Sequence, residues 1–336
     1  MRPAAFRLSF VCFFGALVLA APAVLASQEN AKKLEVEVFG GFSTLNPKDL
    51  NGRAEYDRLY EDFNTELRYG YYHDAYGNLV TYSGQVDGEF KKITQALPVG
   101  MRLKYELSPA LSVSLGFKYL SCRQDSQVTY QYDVRQVDPD GVQFYDEFSL
   151  FQQNSPYSIS VKAYVPMVGV HYRLGKIRFL NLEAFLAAGP MLASCEFSRR
   201  RYANSLDSYD YLTELDSSLE MKGKGTGLAL EAGLQINVKV LKHIYLLMEG
   251  GYAYQSVWSI KGPGSAETTT RDSNSAGYTD SAAWDGRWTM VEGYLENEWG
   301  SFPYAYPTGQ PGTGNAPNFK LNLSGAQVRL GLSFRL

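Results

Sequence analysis

From Leu228 to Val240 every second residue is apolar: Leu228, Leu230, Ala232, Leu234, Ile236, Val238 and Val240. Glu231, Gln235, Asn237 and Lys239 stand between them. A helix would scatter these side chains around its axis. Only an extended strand, with successive side chains on opposite faces, sorts them into one apolar and one polar side. Seven further segments alternate in the same way, among them Leu34-Val36-Val38, Val99 to Leu107, Leu111 to Tyr119 and Ala326 to Leu336. The expected strands are about 34–45, 97–107, 110–122, 157–174, 177–197, 225–240, 243–260 and 319–336.

Alternation alone suits a soluble β-sandwich as well as a membrane-spanning sheet. The connections separate the two. Those around Ser108-Pro109, Gly175-Lys176 and Leu241-His243 are short, whereas 46–95, 123–156, 198–223 and 261–318 are long and polar. Short turns at one end and long loops at the other are the pattern of outer-membrane barrels. A sheet can cross lipid only as a closed barrel, because an open edge would leave backbone groups unpaired there. The expected fold is therefore all-β: an eight-stranded antiparallel up-and-down transmembrane β-barrel over residues 27–336. It has four long extracellular loops and both termini in the periplasm.

Residues 1–26 read as a secretory signal peptide. Arg2 and Arg7 precede the apolar run Phe10 to Val24, and Val24-Leu25-Ala26 offers a small-residue cleavage site. The expected location is the bacterial outer membrane. With 32 Lys and Arg against 35 Asp and Glu, and no basic cluster, nucleic acid is not an expected partner. Three His and few Cys give no metal-ligand pattern, and no cofactor is expected.

The closing run Val328-Arg329-Leu330-Gly331-Leu332-Ser333-Phe334-Arg335-Leu336, with the rhythm of connections, resembles the small outer-membrane barrels of the OmpA, OmpX and opacity-like kind. The resemblance spans 34–336 as a topology. It implies that Val328, Leu330, Leu332, Phe334 and Leu336 form the strand read by the barrel-assembly machinery. The family pattern ends in an aromatic; this sequence ends in Leu, with Phe334 two residues earlier.

Inward parity falls on Glu35, Glu37, Arg102, Lys104, Glu106, Lys118, Arg173, Glu183, Glu231, Lys239, Glu249, Arg329 and Arg335. The interior of an eight-stranded barrel is narrow enough for side chains to fill. Charges there must pair, so this mixed set predicts a neutral plug; a narrow porin-like path for water or small solutes is the alternative. Cys122 and Cys195 both point inward with one strand between them, about 9–10 Å apart at level positions, beyond ordinary disulfide reach. Bending above the membrane could close that gap, so a disulfide stays open at this point.

The loops are the expected place of function. Asn46-Pro47-Lys48-Asp49 predicts a helix start in the first, with Tyr56, Leu59, Tyr60, Phe63 and Leu67 at helical spacing. The last carries Trp284, Trp288, Tyr294, Trp299, Tyr304 and Tyr306 among small polar residues, a composition suited to recognising protein or glycan. The expected role is non-catalytic: envelope structure and surface loops for adhesion or recognition. Expected partners are outer-membrane lipid and lipopolysaccharide, the assembly machinery and an extracellular protein or glycan. A lipid-modifying enzyme is the remote alternative, because His171 and His243 fall near the short turns and His73 has only Asp74 beside it.

Overall fold

A computed structural model of the chain describes residues 34–45, 47, 49–52, 69–73, 79–137, 149–206, 212–273, 277–297, 300–308 and 319–336. The leader segment 1–26 and most of the predicted first-loop helix lie outside the described residues. Helical backbone is present at 49–52, where the Asn51 N–H donates to the Pro47 carbonyl at 2.8 Å.

Fourteen strands are described, not eight. They are β1 (Leu34–Thr44), β2 (Tyr69–His73), β3 (Leu79–Gly88), β4 (Gln95–Glu106), β5 (Leu111–Val137), β6 (Ser149–Ile177) and β7 (Leu180–Leu206), then β8 (Leu212–Lys239), β9 (Ile244–Asp272), β10 (Tyr278–Arg287), β11 (Thr289–Asn297), β12 (Gly300–Thr308), β13 (Leu321–Asn322) and β14 (Gly325–Arg335). Eight of them pair antiparallel in a closed ring. β1 bonds β4, then β5, β6, β7, β8, β9 and β14 follow in order, and β14 returns to β1. Four of the remaining strands add to the ring's sheet, β3 joining β5, β2 joining β3, and β10 and β13 joining β9, while β11 and β12 pair with each other as a separate two-stranded sheet.

The largest departure from the sequence reading is the length of β5 to β9. Each runs 27–29 residues, roughly 90 Å of strand, where crossing a bilayer takes about 9–11 residues. Stretches expected as loops, 123–156 and 198–223, are largely strand. The turn expected at Gly175-Lys176 falls instead at Arg178-Phe179, after an irregularity between Arg173 and Gly175.

The physical cause is an exchange of faces partway along each strand. Near the short turns the outward positions are apolar and exposed, as with Leu115, Val168, Leu186, Leu234 and Leu330, while the inward ones are polar and buried. Higher up, outward positions become Ser121, Arg123, Lys162 and Lys224, and the buried inward ones become Leu120, Cys122, Ile159, Val161, Met191 and Cys195. Direction and pairing do not change; only the solvent preference of each face does.

Candidate functional site

The inside of the ring is filled in two storeys. In the lower one Arg102 reaches from β4 to Glu37 of β1 at 2.5 Å and to Glu249 of β9. Lys104 contacts Glu183 of β7 and lies 3.6 Å from both Glu35 and Glu37. Lys118 contacts Glu231 of β8, whose other oxygen lies 3.0 Å from Arg329 of β14. Arg329 also lies 2.9 Å from Glu249, an ion pair without hydrogen-bond alignment. At the margin Arg173 approaches Glu106 (3.8 Å) and Glu183 (3.9 Å), and Arg335 approaches Glu35 (3.5 Å).

Six carboxylates therefore face six cations. The seventh predicted cation, Lys239, is exposed at the end of β8 with no ion pair among the described residues. Parity gave its face but not its height, and it stands past the network's lower edge. Deep burial of single charges would cost several kcal/mol each, and here the pairs run in an unbroken chain across the ring, which offsets that cost.

Sequence reasoning passed over several members of this layer. Gln235 bridges Glu37 (2.7 Å) and Arg102 (3.1 Å), and its amide also donates to Asn237 (2.9 Å). Ser333 donates to Glu35. Phe39 and Phe185 lie against the guanidinium groups of Arg102 (5.5 and 5.8 Å) and Arg329 (4.7 and 5.6 Å), a cation–π contact strengthened by the absence of bulk water. Phe39 shares parity with Glu35 and Glu37, which is the signal that could have placed it inside.

Ser114 and His171 touch in this layer, Oγ to Nε2, at 3.0 Å. His171 is 1% exposed, stacks on Phe185, and its Nδ1 has no partner among the described atoms. A serine nucleophile needs a base oriented from behind and a place for substrate, and among the described residues this pair shows neither. His243 is exposed at a turn, and His73 ends β2 with its side chain outside the described set.

The upper storey is apolar. Three stretches of chain turn in from the rim and pack against the strand walls. Leu45 and Leu50 come from the first, Phe90 and Ile93 from the second, and Phe319, Leu321 and Leu323 from the third, with Trp288 beside them fully buried. Gly88 (φ 90°) steers the second inward; a Cβ there would meet the Gln127 carbonyl at 2.1 Å. Asn51 then holds the stretch as a strand partner would. Its amide donates to the Ile93 carbonyl at 2.8 Å, and its oxygen accepts the Ile93 N–H at 2.9 Å. Asp49 accepts the Lys320 N–H at 3.1 Å, tying first stretch to third.

One expectation is corrected here, and one question left open is answered. Trp284 and Trp288, expected as exposed recognition aromatics, are buried; the other four aromatics of that loop have side chains outside the described set. Cys122 and Cys195 are free buried thiols. Both pair with Val161, from opposite sides, so a whole strand separates them and no disulfide joins them. Val328, Leu330 and Leu332 of the closing strand face outward and exposed.

Against the extensions of β5 to β9 lies a cavity of about 1000 Å³, lined by Asp125, Ser158, Ser198, Arg200, Asp216 and Glu267 among others. The Arg200 guanidinium bonds Asp216 at 2.5 and 2.9 Å and holds that carboxyl below the ordinary range. Hydroxyls and charges of both signs here suit hydrogen bonding to a hydrated ligand.

No family model matches the chain, and no curated protein matches it. Solved structures that align with it include a major outer membrane protein from Thermus thermophilus, at 11% identity over 90% of this chain and 99% of that one, with TM-score 0.30. The outer membrane protease OmpT from Escherichia coli aligns at 9% identity over 91% and 98%, TM-score 0.24. The transport unit of the autotransporter AIDA-I from Escherichia coli aligns at 8% over 92% of each chain, TM-score 0.14. Scores this low carry no argument about this chain.

Proposed function

We propose that this chain is a bacterial outer-membrane barrel with a closed lumen, whose strands continue outward as a stiff platform for recognising a protein or glycan. The observation that carries this reading is the exchange of faces along single strands. A ring that is apolar outside and ionic inside is built for lipid. The same strands, polar outside and apolar inside, are built for water. Tyr105, Tyr172 and Phe179 are exposed near the short turns, and Tyr252, Tyr254 and Trp258 toward the other limit of the apolar band, as interfacial aromatics would be. The termini and short turns then face the periplasm, and the extensions and their polar cavity face outward.

The filled interior favours platform over channel. The ion-pair layer and the apolar layer above it lie in series, so a solute would have to cross both. The test is twofold. Protein refolded in phosphatidylcholine vesicles should migrate differently on a gel with and without boiling, and should give no stable openings in a planar bilayer. Identical mobility would overturn the barrel, and steady single-channel currents would overturn the closed lumen.

A further inference from the structure

We infer that a line of lysines on the outer wall, directly above the apolar band, binds the anionic groups of lipopolysaccharide. The inference rests on the membrane reading above and gives it a specific lipid partner.

The line is set by strand register. Lys162 of β6 is paired with Ser194 of β7, Ser194 with Lys224 of β8, and Lys224 with Lys261 of β9. All three lysines are exposed, and none makes an ion pair among the described residues. The next cations outward differ: Arg123 lies 2.8 Å from Asp125, and Lys222 lies 3.6 Å from Glu220. Two other carboxylates on this face lie near the line among the described residues: Glu196, in register with Lys222, and Asp285 of β10, in register with Pro263, two residues beyond Lys261, whose own partner on β10 is Arg287. Below the line, again in register, stand Tyr119, Tyr164, Leu192 and Thr226. Unpartnered positive charge thus begins where the apolar wall ends.

The geometry selects among anionic lipids. Lys224 and Lys261 are about 5 Å apart, and Lys162 is about 10 Å from Lys224, by the spacing of adjacent strands. Strands of such barrels tilt by about 35–45°, so a register line climbs about 3 Å per strand, or about 10 Å from Lys162 to Lys261. Lys162 is the low end: the next residue below it on the same face of β6 is already Tyr164, whereas Thr226 intervenes between Lys224 and Leu228. A phospholipid offers one phosphate at one depth. A lipopolysaccharide carries phosphates at the membrane surface and further acidic groups in the sugars above, so its charges are spread over the depth that the lysines span.

The experiment uses the full chain in phosphatidylcholine vesicles containing no anionic lipid, phosphatidylglycerol, or lipopolysaccharide with a phosphorylated core. After extraction in neutral detergent, the lipid retained per protein is measured. The wild type is expected to retain lipopolysaccharide well above phosphatidylglycerol. The variant Lys162→Gln/Lys224→Gln/Lys261→Gln is expected to retain at least tenfold less lipopolysaccharide, since each cation near a charged membrane surface contributes a factor of about five. The pair Arg123→Gln/Lys222→Gln, whose charges are already matched, should change retention less than twofold. Equal retention by wild type and triple variant would overturn the site. Equal retention of both anionic lipids would overturn the choice of lipopolysaccharide. The boiled and unboiled gel separates these outcomes from failure of the barrel: a sample that shifts on heating is a folded barrel whichever lipid it holds, and one that never shifts sinks the barrel and the lipid site together.

Discussion

Glu231 shows how single residues hold this molecule together. It answers two buried cations, Lys118 and Arg329, from two other strands. In Glu231→Gln both would face a neutral amide, and the expected loss is about 3–5 kcal/mol of unfolding free energy, read from urea titration in vesicles. Adding Lys118→Met should restore part of that loss, because the stranded charge goes too. Arg178 is a milder case. Its φ of 42° is a left-handed conformation that costs an L-residue about 1–2 kcal/mol. Arg178→Gly should therefore raise stability, by less than about 1 kcal/mol once the freedom of glycine in the unfolded chain is counted. The ionic layer was legible from sequence because charge at alternate positions of an apolar strand has one place to go. Phe39 and Phe185 were not, since a ring at a polar-parity position reads as a break in the pattern until the guanidinium opposite is seen.

At the scale of elements, the eight strands of the ring were found and the six others were not among them; the ends of the eight were missed for a reason visible in β6. Outward residues run Tyr172, Val170, Val168, Pro166 and Tyr164, then Lys162 and Ser160, while the inward set passes from His171 and Gly169 to Val165, Ala163, Val161 and Ile159. An apolar period that shifts by one residue looks like the end of one segment; here the strand continues and only the solvent preference of its two faces is exchanged. The inward-turning stretches were hidden for a different reason: Phe90, Ile93 and Phe319 are sparse apolar residues whose partners lie far along the chain. Their packing can be probed through the thiols. Cys195 pairs with Gly223, and a Cβ on Gly223 would meet the Trp288 ring at 2.9 Å, so Trp288 stands over the position beside that thiol and is the expected cover. In native wild type both cysteines should resist a maleimide reagent and react only after denaturation. Trp288→Ala should open Cys195 to the reagent while leaving the heat-dependent gel shift unchanged. Labelling at the wild-type rate would show that Trp288 is not the cover.

The molecule as a whole is one set of strands serving two media. On the membrane reading proposed above, its lower half sits in hydrocarbon, where outer apolar surface gains nothing by burial, and is held by ion pairs, backbone bonds and packing. The upper half is surrounded by water and stands on the hydrophobic effect, whose strength falls on cooling. A single strand such as β7 is thus subject to two temperature laws along its length. Chilling should loosen the outer end first, and amide exchange near 0 °C should quicken around Cys195 and Phe197 more than around Glu183 and Phe185. The organism's growth temperature then bears on the platform and the anchor separately: a cold habitat would demand changes in the residues that pack the outer chamber, with the ionic floor left as it is.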